Sequence, residues 1–309
     1  MAQKGQKIYL MVVSESPGMQ KKDWLSQMPE LRIIADLEPV FIFDQPSVNI
    51  TPEVWLKLAR EIHQRLDSAG GFVILHGVDN LLFTSSALSF LLQNLTKPIV
   101  FTGTQFGSLQ SRRVEMRANL INASQTTHFN FTEVCLMFGN RLLRANQARQ
   151  SLEKSLNVFT APLNAVLGRI DFSIRIFDKL ALNNKGKTKL FDQLSDQVEI
   201  IRITPVLNLK ILAKRLVDRE GIIVNAKYYQ ELPRDLMFLF EKITPDLPVV
   251  IWTNRIQALP IAPKNIILIN NLTWETTVTK FMWAVGQTTN AQKVKELMLK
   301  DVAGEIIDN

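Results

Sequence analysis

Short apolar runs alternate along this chain with polar breaks that are rich in glycine and proline. The clearest case is Gly70–Asn80, where an apolar run beginning at Phe72 is followed by His76–Asn80, a segment that contains the polar residues His76, Asp79 and Asn80. Continuous apolar runs are typical of parallel strands that are covered on both faces. Because ligands of open α/β sheets bind at the carboxyl ends of the strands, His76–Asn80 is the first candidate site.

The residues that follow predict a strand, helix, strand unit. Thr84–Ser86 are expected to cap a helix over 87–95, and Lys97–Pro98 then lead into a strand over 99–103. Thr51, Pro52 and Glu53 are typical of a helix start, and Gly70 ends that helix. The same patterns predict strands at 7–13, 39–44, 133–138 and 141–144 and a helix over 116–127.

A polar segment marks a boundary between two domains. Residues 183–189 contain no apolar side chain, which is typical of a solvated linker. Strand and helix patterns alternate again beyond it, so the second domain is also α/β. We therefore predict an N-terminal domain over 1–185, a linker over 186–197 and a C-terminal domain over 198–309.

Composition narrows the class of protein. The chain has 309 residues, of which 46% are hydrophobic, and this is enough for two domains with sizeable cores. No apolar run approaches the roughly 18 residues that cross a bilayer, so we expect a cytoplasmic protein with no membrane partner. The single cysteine, Cys135, excludes an internal disulfide and lies in an apolar run. No metal or nucleotide motif is present, so we expect no cofactor and no metal site.

Six strings occur in a fixed order along the chain: Gly71–Asp79, Ser86–Phe90, Lys97–Pro98, Thr102–Gly103, Asn119–Ala123 and Phe138–Arg144. Together they resemble the bacterial-type L-asparaginase family, closest to its cytoplasmic, type I-like branch. Thr51–Trp55, Asn271–Glu275 and Lys295–Leu297 extend the resemblance over the whole chain. The resemblance implies a larger N-terminal flavodoxin-like domain with a parallel sheet, a smaller C-terminal α/β domain, and homodimers or homotetramers with the site near the interface.

The family's nucleophile motif is altered here. Family members carry a nucleophilic Thr in a Thr–Gly–Gly–Thr–Ile string after the first strand, and the resemblance places Val13–Pro17 there. Both glycines are absent, and Ser16 stands at the nucleophile position, where it keeps a hydroxyl group. The adjoining segment, 19–29, contains no Tyr of the kind that assists the family's nucleophile.

The family's proton relay of Thr, Asp and Lys is also degenerate. Val78 stands at the Thr position, Asp79 keeps the Asp, and the Lys position falls on Gln150 or its neighbour Arg149. Valine cannot form a hydrogen bond, arginine stays protonated and glutamine cannot accept a proton. We therefore expect the relay to be unable to deprotonate Ser16.

The family's substrate contacts are better preserved. The resemblance assigns Ser47 and Asn49 to the α-carboxylate and the α-amino group of the substrate. It assigns Asp79 as a second contact of the same α-amino group, which is charged as an ammonium. A small amino-acid ligand similar to asparagine or aspartate is therefore predicted. The alternative for Asp79 is a carboxylate that caps the following turn, and the alternative for His76 is an internally hydrogen-bonded strand end.

Basic side chains raise a separate question. The net charge is +7, and six arginines fall in neighbouring predicted elements: Arg112, Arg113, Arg117, Arg141, Arg144 and Arg149. Such sets are mostly interface ion pairs or solvated faces, and the aromatic side chains that single strands need are not interleaved with them. Nucleic-acid binding is therefore a third hypothesis, which this arrangement of residues does not favour.

Two functions follow from these residues. The first is a protein of this family with lost or strongly impaired L-asparagine amidohydrolase activity, a pseudoenzyme that keeps an amino-acid pocket. The second is an active amidohydrolase that uses Ser16 and releases ammonia from asparagine or a related amide. A tRNA-dependent amidotransferase component is a third possible relative. The resemblance implies that such proteins keep the full Thr and Lys set and carry an N-terminal extension, so we do not expect this chain to be one of them.

Overall fold

A computed structural model of the chain describes residues 7–13, 28–104, 109–151, 157–182, 184–226, 229, 232–243, 245–253 and 263–307. It describes the side chains of these residues except at 32, 109–113 and 243. The chain divides into two compact units, Met1–Asp192 and Gln193–Asn309. This division falls within the segment 186–197, although Lys189–Leu190 there forms a short strand of the first unit. Whether the units fold independently within the predicted bounds stays a prediction.

The described residues of the first unit form twelve strands and four α-helices. The strands are β1 (Lys7–Val12), β2 (Leu37–Phe41), β3 (Ala69–Leu75), β4 (Leu92–Gln93), β5 (Ile99–Thr102), β6 (Val134–Phe138), β7 (Arg141–Arg144), β8 (Arg149–Gln150), β9 (Phe159–Thr160), β10 (Val166–Ile170), β11 (Ile174–Ile176) and β12 (Lys189–Leu190). The helices are α1 (Pro29–Ile34), α2 (Pro52–Arg65), α3 (Leu81–Leu91) and α4 (Leu109–Thr126).

Eight of these strands form one sheet in the order β11-β10-β7-β6-β5-β3-β1-β2. Five neighbouring strands of this sheet are parallel: β2, β1, β3, β5 and β6. Strands β7, β10 and β11 extend the sheet with antiparallel pairing. The strand order reverses between β1 and β3, which is the switch point where α/β proteins of flavodoxin-like order bind ligands. The predicted α/β class with a large parallel-dominated sheet is confirmed.

Alternating side chains of the sheet build cores on its two faces. Ile8, Leu10 and Val12 of β1 pack in one core with Leu31 of α1 and Leu120 of α4. On β3 every residue is buried, as the apolar run predicts. Helix α2 buries one apolar stripe, and it begins after Thr51 with Pro52 in its first turn, as predicted.

Helix α3 differs from its prediction. It runs over Leu81–Leu91 rather than 87–95, so Thr84 and Ser85 lie inside it instead of capping it. Ser85 Oγ donates to the Leu82 carbonyl and Ser89 Oγ to the Ser85 carbonyl, whereas Thr84 Oγ1 lies 3.1 Å from the Asn80 carbonyl. Because such bonds satisfy hydroxyl groups within a helix, Ser and Thr do not always mark its start.

The second unit has a smaller, fully parallel sheet. Its strands are β13 (Val198–Arg202), β14 (Gly221–Asn225), β15 (Val249–Trp252) and β16 (Ile266–Ile269), paired in that order. Its helices are α5 (Leu209–Arg215), α6 (Arg234–Phe238), α7 (Trp274–Gln287) and α8 (Ala291–Leu299). The alternation predicted from the sequence is therefore present, although α6 is short and continues into a π-helical turn at Leu239–Ile243.

Candidate functional site

The turn between β3 and α3, His76–Asn80, lies at the switch point of the large sheet. Strand β3 ends beside the end of β1, with Leu75 opposite Val12, and the Val13 amide donates to the Leu75 carbonyl. The residues after Val13 that include Ser16 lie outside the described residues, so the predicted nucleophile position stays a prediction.

His76 is an internal anchor of this turn. Its imidazole is buried, with Nδ1 2.5 Å from the Gly77 carbonyl oxygen and Nε2 2.9 Å from Thr84 Oγ1. A carbonyl only accepts, so Nδ1 carries the proton and Nε2 accepts from the Thr84 hydroxyl. Trp55 Nε1 donates to the same hydroxyl oxygen at 3.0 Å. The internal hydrogen bonding expected of His76 is confirmed.

Burial also keeps His76 neutral. Desolvation of the charged form lowers the pKa of His76 to about 4, against 6.5 for an ordinary imidazole, and the bond to the Gly77 carbonyl opposes this only in part. Both ring nitrogens are occupied by protein partners. His76 therefore positions the turn and has no nitrogen left to accept a proton from a substrate or nucleophile.

A close backbone approach fixes the turn to the next strand. The His76 amide donates to the Thr102 carbonyl, and Asn119 Nδ2 donates to the Gly103 carbonyl at 2.8 Å. A Cβ atom at Gly103 would lie 2.1 Å from the His76 carbonyl oxygen, so only glycine fits there. Thr102 Oγ1 donates to the Met137 carbonyl at 2.8 Å and links β5 to β6.

The structure joins two of the predicted binding segments. Asn80 has a positive φ of 53°, and its Nδ2 donates to the carbonyls of Ser47 and Val48 at 3.2 and 3.3 Å. Ser47 is buried and Asn49 is exposed, with Asn49 Nδ2 3.3 Å from Gln45 Oε1. Sequence reasoning missed Asn80 as the link, although an Asn at the end of a strand motif is a signal for a left-handed turn residue.

The residues at the predicted relay positions offer little proton-transfer chemistry. Val78 is partly buried and Asp79 is exposed in the turn. Arg149 and Gln150 are exposed residues of β8, paired with Thr160 and Phe159 of β9. The turn thus offers one exposed carboxylate, which can bind an ammonium group, and no basic nitrogen with a free lone pair.

The predicted arginine set is partly neutralised by ion pairs. Arg144 is buried and donates to Glu133 at 2.6 Å and to the Leu180 carbonyl, and Arg117 pairs with Glu30. The pKa of the Glu30 carboxyl is lowered by its hydrogen bond to Arg117. The side chains of residues 112 and 113 lie outside the description.

Neither the described helices nor the described acidic, histidine and cysteine side chains suggest a membrane span or a metal centre. In the described ranges no helix is long and apolar enough to cross a bilayer. The same residues contain no group of three or more His, Cys, Asp or Glu side chains placed to hold a metal ion.

Comparison with known proteins places this geometry in a family. Residues 9–182 match the family model for the N-terminal domain of asparaginase. The chain is 27% identical to L-asparaginase of Thermococcus kodakarensis, covering 88% of this chain and 87% of that protein. It is 25% identical to a glutamyl-tRNA(Gln) amidotransferase component of Pyrococcus furiosus, covering 94% of this chain and 71% of that protein.

Solved structures agree on the fold. L-asparaginase I of Vibrio cholerae superposes with a TM-score of 0.81 at 24% identity, over 97% of this chain and 99% of that one. The thermostable L-asparaginase of Thermococcus kodakarensis superposes with a TM-score of 0.82 at 24% identity, over 98% and 100%. Since the family model spans more than half of the residues, this chain belongs to the asparaginase family.

Proposed function

We propose that this protein has lost, or keeps only in strongly impaired form, the L-asparagine amidohydrolase activity of its family, and that it retains a small amino-acid-binding pocket. The observation that supports this most is the His76–Asn80 turn. Val78 has no hydrogen-bonding group where the family pattern has Thr, and both nitrogens of the neighbouring His76 are occupied.

The missing base strengthens the argument. Arg149 and Gln150, which stand at the family's Lys position, are a permanent cation and a neutral amide. Members of a catalytic unit fail together, and losing one commonly costs about 10⁴-fold in rate or more. Two substitutions in the relay therefore leave little amidohydrolase activity, even though Ser16 keeps a hydroxyl group.

Ligand binding has different requirements, which the turn meets. Asp79 presents an exposed carboxylate at the switch point, and Asn80 ties its turn to the Ser47 and Val48 carbonyls. A carboxylate beside an ammonium group forms a charge-assisted hydrogen bond without any proton transfer. The proposed ligand is an amino acid similar to asparagine or aspartate, held by Asp79, Ser47 and Asn49.

The second candidate is an active amidohydrolase with Ser16 as nucleophile. This candidate is supported by similarity to proteins that are L-asparaginases: those of Thermococcus kodakarensis and Escherichia coli align over 88% and 84% of this chain. Serine can replace threonine as an oxygen nucleophile once a base activates it. The cytoplasmic location and the homodimeric or homotetrameric state stay predictions under either function.

Ammonia release separates the two functions. The purified full-length protein is assayed with L-asparagine and L-glutamine beside Ser16→Ala and the double variant Val78→Thr/Gln150→Lys. We expect wild type and Ser16→Ala to release ammonia at the same rate. Any gain in that rate should appear only in the double variant. Wild-type turnover near 1 per second or faster, abolished in Ser16→Ala, refutes the loss of activity.

Thermal denaturation tests the pocket separately. Aspartate or asparagine at about 100 times its dissociation constant should stabilise the protein by about 2.7 kcal/mol. Asp79→Asn removes the charge at nearly constant volume and should abolish that stabilisation. If neither amino acid raises the midpoint of the wild type at millimolar concentration, the retained pocket is ruled out.

A further inference from the structure

Three arginines lie directly opposite one another across the antiparallel part of the large sheet. Arg169 of β10 pairs in register with Arg175 of β11 on one side and with Arg141 of β7 on the other. Arg141 in turn lies opposite Phe138 of β6. Directly paired residues of antiparallel strands share one face of a sheet, so the three arginines form a row, which we call the arginine row.

The arginine row lies on the face opposite the core of α1 and α4. Leu142, Ile170 and Ile176, which alternate with the three arginines along their strands, pack into or against that core. Exposure increases outward along the row: Phe138 is buried, Arg141 is partly buried, and Arg169 and Arg175 are exposed. The row is therefore anchored at its inner end and open to solvent at the sheet edge.

Charge along the arginine row is incompletely balanced. Asp171, in the β10–β11 hairpin, accepts from Arg175 at 2.6 Å. Among the described residues, neither Arg141 nor Arg169 forms an ion pair. Like charges directly opposite each other on a sheet repel, so Arg169, at the centre of the row, destabilises the free protein. A bound anion would relieve this repulsion.

The row is separate from the amino-acid site. Arg141 lies on the third strand from β3 and Arg175 on the fifth, in the order β3-β5-β6-β7-β10-β11. At about 4.8 Å between neighbouring strands, these residues stand about 14 to 24 Å from β3 along the sheet. A ligand of the row would therefore occupy a second site.

We propose that the arginine row binds a small compound with two or more linked phosphate groups, such as a diphosphate or triphosphate. Guanidinium groups bind phosphate oxygens in bidentate pairs, which favours arginine over lysine at such a site. Neighbouring arginines about 5 Å apart, over a strip of about 10 Å, match several linked phosphates better than one carboxylate. This inference does not depend on the proposed function.

The test measures binding of sodium tripolyphosphate, pyrophosphate and inorganic phosphate to the full-length protein by calorimetry at constant ionic strength. Four proteins are compared: wild type, Arg169→Gln, Arg169→Lys and Arg202→Gln. Arg202 is an exposed arginine on β13 of the second unit and controls for the loss of one positive charge.

We expect tripolyphosphate to bind wild type at least about tenfold more tightly than phosphate, because each further phosphate group adds charge-assisted contacts to the guanidinium groups of the row. Arg169→Gln should lose at least about tenfold in affinity, Arg169→Lys less, and Arg202→Gln less than about twofold. The melting temperature of Arg169→Gln should equal or exceed that of wild type, because the substitution removes repulsion, so a folding defect cannot explain the loss.

Three results overturn the proposal. One is the absence of saturable tripolyphosphate binding at low ionic strength. Another is an equal loss of affinity in Arg169→Gln and Arg202→Gln, which would show attraction to net charge alone. The third is binding of an oligoribonucleotide without binding of tripolyphosphate, which would assign the row to nucleic acid.

Discussion

Acidification should destabilise this protein through His76. Burial lowers the pKa of His76 in the folded state to about 4, whereas an unfolded chain protonates it at 6.5. Between these values the unfolded state binds more protons, so the free energy of unfolding falls as the pH falls. The two values differ by about 2.5, and at about 1.4 kcal/mol per pH unit the full loss is about 3 kcal/mol. About 2 kcal/mol of this is lost between pH 7.5 and 5.

Two measurements test this reasoning. Urea denaturation at pH 7.5 and 5 is compared between wild type and His76→Gln, which cannot titrate and keeps an acceptor for the Thr84 hydroxyl. The pH-dependent loss of stability should be about 2 kcal/mol smaller in the variant, because carboxylates contribute equally to both proteins. A direct NMR titration of the wild-type imidazole should show protonation near pH 4. An imidazole that titrates near 6.5 in the folded protein would falsify the buried, doubly hydrogen-bonded role of His76.

Two further predictions concern the interior of each unit. Lys280→Met should cost about 3 to 5 kcal/mol in denaturant titrations, because it leaves the buried Glu305 carboxylate without its ion-pair partner, and Lys280→Met/Glu305→Gln should recover part of that loss. An unchanged midpoint for the single variant would contradict this. Gly103→Ala should cost at least about 3 kcal/mol, since its Cβ would overlap the His76 carbonyl. Gly186→Ala, with a positive φ of 93° but open space, should cost only about 1 kcal/mol, and equal losses would refute the steric argument.

The pair behind the first of these predictions shows why burial matters. Lys280 and Glu305 are both fully buried, and Lys280 Nζ also donates to the Met298 and Lys300 carbonyls. Glu305 accepts from the Val302 and Ala303 amides. Burial lowers the pKa of Lys280 and raises that of Glu305, against the attraction between the two charges. Nothing in the local sequence around Lys280 or Glu305 indicates this pairing, because the partners are distant in the chain.

The local pattern predicted most of the elements. Strands such as β3 and β6 were predictable because each is a short apolar run bounded by polar or glycine residues, and α2 because its capping signals and apolar period agree. The start of α3 was not predictable in this way. The hydroxyl groups of Ser85 and Ser89 donate to carbonyls of the same helix, in which nearly every residue is buried.

The residue types by themselves determined what the positions predicted from the family resemblance can do: a hydroxyl at Ser16, an apolar side chain at Val78, a carboxylate at Asp79 and no lysine at Gln150. Only the tertiary structure decided how the described groups are used. It occupies both nitrogens of His76, ties Asn80 to the Ser47 and Val48 carbonyls, and aligns three arginines across strands. The physical reason is that side-chain types follow from the local sequence, whereas burial, strand register and hydrogen-bond partners arise from contacts between residues far apart in the chain.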